Sequence, residues 1–190
     1  RLFLFDLKHI PRVTFSVEGI TDETFSTSSI IISNHQSMLD AAIFMALSPK
    51  TILVSNEKVS CNPIIRRIFK WNGFITLCDM NSMDDNLIKS YVANGYSLVI
   101  FPEGIRNAHS SIRRFHKGAF LLAERYQLDI QPFIIHGLNM VLPRNSIQVF
   151  PGQMTIRAYE RIKHNRKIPY AELTSQLHDF YKKEYAQIAR

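Results

Sequence analysis

The chain has 190 residues, 46% of them hydrophobic and 11% aromatic, which is enough to bury a sizeable core and too apolar for a disordered segment. A formal net charge of +7 suits an anionic partner such as lipid head groups, a phosphopantetheine carrier or nucleic acid. The two cysteines, Cys61 and Cys78, have neither Cys-x-x-Cys spacing nor paired histidines beside them, which argues against a zinc site or disulfide framework and fits a reducing cytoplasmic setting.

No apolar run approaches the ~20 residues that cross a bilayer, and Arg1-Leu2-Phe3-Leu4-Phe5-Asp6 holds too short an apolar stretch for a signal peptide. A start at Arg1 directly before apolar sequence reads as a fragment of a longer polypeptide. Leu2 to Phe5 then offers either a membrane contact or core packing. Residues 12–20 alternate apolar Val13, Phe15 and Val17 with polar neighbours, a half-buried strand. Ile30-Ile31-Ile32 is a strand buried on both faces. Ser37 to about Leu47 is a helix stopped by Ser48-Pro49, and Thr51 to Val54 is the next strand.

Asn62-Pro63 opens a helix that ends by Asn72-Gly73, with Arg66, Arg67 and Lys70 as a basic face that is either solvated or a membrane or substrate contact. Phe74 to Leu77 is a strand, residues 79–85 a polar loop, and Asp84 to about Asn94 a helix closed by Gly95. Ser97 to Ile100 is a further strand. Lys117 to Arg125 is a helix whose Gly118-Ala119 start allows close packing at the site. Gln131 to Ile135 is a strand, Ser146–Phe150 and Met154–Tyr159 form a hairpin turned at Pro151-Gly152, and Tyr170 to about Ile188 is a long amphipathic helix. Alternating strands and helices predict one α/β domain with a mixed, largely parallel sheet flanked by helices.

Two polar islands interrupt this pattern, Asn34 to Asp40 after one apolar strand and Phe101 to Asn107 after another. Loops at strand ends are where an open α/β sheet places its ligand chemistry. Ser37-Met38-Leu39-Asp40 fits a capping box, with Ser37 as cap and Asp40 in the first turn pointing back toward the residues before it. Asp40 can therefore accept a hydrogen bond from one ring nitrogen of His35 and leave the other as a proton acceptor, the base-plus-orienter half of a triad. The alternative is a helix cap beside an ordinary loop histidine. Arg106 can grip a phosphate in a bidentate fork or pair with Glu103. Backbone N–H groups around Gly104 can receive an oxyanion.

The two islands together resemble the glycerolipid acyltransferase family, of which lysophosphatidic acid acyltransferase is the typical member. Asn34-His35-Gln36-Ser37 through Asp40 matches its N-H-x-S-x-x-D block, and Phe101-Pro102-Glu103-Gly104-Ile105-Arg106-Asn107 is similar to its F-P-E-G-T-R-S block. Phe115-His116-Lys117-Gly118-Ala119 looks like F-K-x-G-A, and Ile130 to Ile134 like the fourth block, a buried strand with proline. The resemblance covers about residues 28–160 of a single 1–190 domain, with the C-terminal helix at about 170–188.

It implies a glycerol-3-phosphate acyltransferase-like fold and an O-acyltransferase of phospholipid biosynthesis. His35 and Asp40 would be catalytic, and Glu103, Gly104, Arg106, Asn34, Ser37 and Lys117 would bind substrate. The acyl donor would be acyl-CoA or acyl carrier protein, with no other cofactor and no metal. The acceptor would be a lysophospholipid such as 1-acyl-glycerol-3-phosphate, met at the cytoplasmic side of a membrane, peripherally or as a domain of a membrane protein. The family's second block, G-x-x-F-I-D-R, here reads Gly73-Phe74-Ile75-Thr76-Leu77-Cys78-Asp79, so Asp79 stands where an arginine grips the acceptor's phosphate; Asn56 replaces a lysine, with Lys58 nearby. A non-phosphorylated lipid alcohol or amine as acceptor stays open on that account, as does a thioesterase-like hydrolase. A serine hydrolase would need a Gly-x-Ser-x-Gly elbow, which is absent, and no motif supports nucleic-acid binding.

Overall fold

The computed structural model describes residues 12–37, 39–56, 75–77, 84–107, 111–143, 146, 148–164 and 167–188. Its strands are β1 (Val13–Glu18), β2 (Ser29–Ser33), β3 (Thr51–Asn56), β4 (Ile75–Leu77), β5 (Ser97–Ile100), β6 (Asp129–His136) and β7 (Gly152–Ala158), and its helices are α1 (Leu39–Leu47), α2 (Asp85–Ala93), α3 (Gly118–Tyr126), α4 (Leu138–Val141) and α5 (Tyr170–Ile188). The strands form one sheet in the order β1-β7-β6-β2-β5-β3-β4. From β6 through β4 all neighbours are parallel, whereas β7 runs antiparallel to β6 and carries β1 parallel to itself. The expected mixed, largely parallel α/β sheet is present.

Ile30, Ile31 and Ile32 are fully buried because the sheet is covered on both faces. Ile30 and Ile32 belong to the core beneath α2, α3 and α5, and Ile31 to the core with Ile43 and Phe44 of α1 and Leu138 and Val141 of α4. A strand with no polar alternation fits only such a position. Helix α2 starts at Asp84, whose carboxylate accepts from Asn86 N and Leu87 N at 3.1 Å each. In α5 the buried residues Thr174, Leu177, Tyr181 and Tyr185 make a single stripe.

Pro132 sits inside β6, where it cannot supply a ladder N–H. Tyr159 N donates to Pro132 O at 3.0 Å, but the reciprocal bond needs a donor that proline lacks. Gln131 Nε2 takes that part, donating to Tyr159 O at 2.6 Å. At the far end of β6 the chain turns sharply into α4. Gly137 is required there, since it has φ +82° and a Cβ would lie 1.9 Å from Gln153 O.

Two expectations are corrected. Ser146 and residues 148–150 do not pair with β7, because β1 and β6 already occupy both its edges; Phe150 N bonds to Val141 O at 2.8 Å instead. Nor does Gly118 mark a close approach, since a Cβ there would meet nothing within 4 Å. The helix expected from Asn62 with its basic face, Phe74, residues 79–83, Lys58 and the Leu2 to Phe5 patch lie outside the described residues. With open space and a helical backbone at Gly118, Gly118→Ala should raise stability by about 0.4–1 kcal/mol by restricting the unfolded chain; denaturant unfolding checks this, and a loss of stability would show a hidden contact.

Candidate active site

Both polar islands emerge at the C-terminal edge of the parallel strands, from β2 and β5, which are neighbours in the sheet. The first is moored by side chains acting as backbone. Asn34 donates from Nδ2 to Ile135 O at 2.7 Å and accepts from Ile135 N at 2.8 Å, extending the β2–β6 ladder by one amide. Ser37 Oγ accepts from Leu39 N and donates to Leu142 O, at 3.4 Å each. Asn34 is 2% and Ser37 1% exposed. Where the sequence suggested substrate contacts, the structure places two residues that hold the loop.

Asp40 is fully buried, and its Oδ2 collects three donors: Gln36 N at 2.6 Å, Ser37 N at 2.9 Å and His35 Nδ1 at 2.6 Å. Its Oδ1 has no partner among the described residues, so the carboxylate is oriented through one oxygen. The His35 ring lies flat on Phe101, with centroids 4.2 Å apart and 11° between planes, and Phe101 leans on buried Phe44 at 6.2 Å. A hydrogen bond at Nδ1 makes that nitrogen the one carrying hydrogen in the neutral ring and leaves the Nε2 lone pair as a base. With its side chain 20% exposed, the ring is supported beneath and reachable from solvent.

The second island is tied to the first by Glu103, which is 3% exposed. Its Oε1 accepts from His35 N and its Oε2 from Arg113 N, both at 3.1 Å. Asn107 N donates to His35 O at 2.7 Å and His116 N to Pro102 O at 2.8 Å. One buried acid thus sets the backbone of the histidine and of the basic loop that leads into α3. The Glu103–Arg106 salt bridge considered from sequence is not formed, since Glu103 is occupied by backbone.

Gly104 has φ +70° and donates its N–H to Phe101 O at 3.0 Å, closing a turn. That N–H is therefore spent, and the nearby donors for an oxyanion are those of Ile105 and Arg106, which have no acceptor among the described residues. Arg106 is half-buried, and Arg113, Arg114, His116 and Lys117 are exposed. No carboxylate among the described residues pairs with any of the three arginines or with Lys117. Among the described residues, the rim of the site is a band of uncompensated positive charge. Among the described residues no group of three His, Cys, Asp or Glu side chains is placed to hold a metal ion.

A family model described as Acyltransferase matches residues 12–136. The chain belongs to the acyltransferase family. Similar curated proteins are the 1-acyl-sn-glycerol-3-phosphate acyltransferase of Cocos nucifera, 27% identical over 154 residues covering 78% of this chain and 49% of that protein, and the human 1-acyl-sn-glycerol-3-phosphate acyltransferase alpha, 26% identical over 172 residues covering 83% of this chain and 58% of that protein. The chain spans about half the length of the curated relatives it matches. The fold is shared with the 1-acyl-sn-glycerophosphate (LPA) acyltransferase PlsC from Thermotoga maritima, with a TM-score of 0.75, 18% identity, and coverage of 93% of this chain and 73% of that one.

Gln36, Tyr181, Tyr185 and Asn107 also belong to the site's framework, a role that the sequence alone does not reveal. Tyr181 Oη donates to Ile32 O at 2.8 Å and accepts from Phe133 N at 3.1 Å, standing between β2 and β6 where their ladder opens. The one available signal was a pair of tyrosines four apart on a stripe where leucine would suffice for packing.

Burial raises the Glu103 carboxyl above its ordinary 4.5, opposed by the backbone donors of His35 and Arg113. The folded state therefore keeps this proton to higher pH than the unfolded chain. The associated stability is complete below the ordinary value and is lost as pH rises through the raised one. Glutamine does not titrate, so the stability of the wild type relative to Glu103→Gln should fall as pH climbs above 4.5. Urea unfolding across that range measures it, and a difference independent of pH contradicts it.

Proposed function

We propose that this chain carries the transfer centre of an enzyme that moves a fatty acyl group from acyl-CoA or acyl carrier protein to a hydroxyl of a lysophospholipid such as 1-acyl-glycerol-3-phosphate. The observation that carries the reading is the His35–Asp40 pair, with Nδ1 held at 2.6 Å on a ring that is 20% exposed, beside a rim of cations with no carboxylate partner among the described residues. The named activities of the similar proteins support the same reading.

The chemistry follows from what a thioester and an alcohol lack. A thiolate leaves without help, but an alcohol holds its proton too tightly to attack at pH 7, so a positioned base matters most. The acceptor hydroxyl gives its proton to His35 Nε2 as its oxygen bonds to the thioester carbonyl carbon. Asp40 stabilises the imidazolium that results. The carbonyl oxygen becomes an oxyanion within reach of the N–H groups of Ile105 and Arg106. Collapse re-forms the carbonyl, breaks the carbon–sulfur bond and returns the His35 proton to the departing thiolate. The products are an ester and a free thiol, with no covalent enzyme intermediate.

Arg106 and Lys117, with Arg113 and Arg114, grip the phosphate of the acceptor or of the donor's phosphopantetheine arm. No helix of the described residues is long and apolar enough to cross a membrane, so these residues would meet their greasy substrates at the surface of a bilayer, on its cytoplasmic side in this reading. A serine nucleophile has little support, because Ser33 and Ser37 are buried with their hydroxyls turned to Asn34 O and Leu142 O.

His35→Ala should lower acceptor-dependent thiol release from acyl-CoA by ~10²–10⁴-fold, and near-normal turnover would refute the base. Release of thiol without any acceptor would instead indicate a hydrolase. Arg106→Gln should raise KM for lysophosphatidic acid roughly 10-fold while sparing an uncharged monoacylglycerol; equal loss on both acceptors would place Arg106 on the donor instead.

A further inference from the structure

Tyr181 and Tyr185 stand one turn apart on the buried stripe of α5 and use their hydroxyls differently. Tyr181 serves the strands. Tyr185 Oη accepts from Gln36 Nε2 at 2.7 Å, while Gln36 Oε1 accepts from Leu138 N at 3.0 Å. Gln36, 2% exposed, is a strut between the start of α4 and the end of α5. The backbone N–H of the same residue is one of the three donors on Asp40 Oδ2, at 2.6 Å. Tyr185 is 4% exposed; phenylalanine would fill the same space without burying a hydroxyl that needs a partner. The hydroxyl is thus placed for the strut.

The geometry points to Gln36 and Tyr185 as positioning residues that set how Asp40 holds His35, an inference that rests on the proton-relay reading above. With both ends of its side chain fixed, the Gln36 peptide cannot rotate, and its N–H stays aimed at Oδ2. Without the strut that donor drifts, the carboxylate charge is less satisfied by backbone, and it draws harder on the ring proton at Nδ1. Among the described residues, Asp40 on α1 and Glu103 from the 101–107 loop bond to this loop, and the ring of His136 at the end of β6 lies 5.2 Å from that of Tyr185. Removing one hydroxyl changes none of these residues.

Tyr185→Phe keeps the ring and deletes the strut's anchor. Turnover should fall roughly 10-fold through misplacement of the base, with KM for donor and acceptor little changed. The NMR resonance of the proton between His35 Nδ1 and Asp40 Oδ2 should move downfield. Unchanged turnover overturns the proposal, and so does a fall in turnover with that resonance unmoved, which would assign Tyr185 to packing alone. The resonance is read without catalysis. An active His35→Ala enzyme would therefore sink the proton relay, while the strut would still be judged on the resonance itself.

Discussion

A single carboxylate oxygen organises the site. Asp40 Oδ2 gathers two backbone N–H groups and one imidazole N–H inside a fully buried environment. Burying such a charge is costly unless hydrogen bonds replace water, and here the replacements define the loop's conformation. The two backbone bonds give the carboxylate its fixed position at the start of α1, and the third fixes the tautomer of His35. The acid is at once helix cap and orienter of a base, so local stability and proton chemistry depend on the same contacts.

Around that oxygen, side chains repeatedly take the part of backbone. Asn34 prolongs the ladder between β2 and β6, Tyr181 bridges the same two strands, and Gln131 supplies the donor that Pro132 lacks. The sheet can thereby open at its C-terminal edge with the backbone N–H groups of Phe133 and Ile135 and the carbonyl groups of Ile32 and Ile135 still paired. Glu103 extends the device to the second loop, holding His35 N and Arg113 N on its two oxygens. Since that acid is spent on backbone, the arginines beside it are left without a carboxylate partner among the described residues. A buried acid and an exposed basic rim are two consequences of one arrangement.

The parts visible in the sequence are the local ones. His35 and Asp40 are five residues apart, and a capping pattern at that spacing already points the carboxylate back toward the ring. Strand β5 and helices α2 and α5 follow from buried runs, the Asp84 cap and the Gly95 stop. Long-range contacts are not written in any window. The Gln36–Tyr185 bond joins residues 149 apart, and β7 takes β1 as its neighbour across the whole chain, overriding the strong local turn signal at Pro151-Gly152. Helix α4, four residues long and without a side-chain cap, carries no periodicity to detect. The basic rim was visible as composition, but its lack of acidic partners among the described residues required knowing that Glu103 faces inward.

The central claim is that Asp40 makes His35 a base of fixed tautomer, and Asp40→Asn addresses it most directly. Asparagine keeps the size and one acceptor oxygen, but its amide disturbs which ring nitrogen carries the proton. Measured as acceptor-dependent thiol release from acyl-CoA by the folded variant, turnover should fall by at least ~10²-fold, with the far-ultraviolet circular dichroism of the wild type retained. A folded Asp40→Asn enzyme that transfers acyl groups at the wild-type rate would contradict the account.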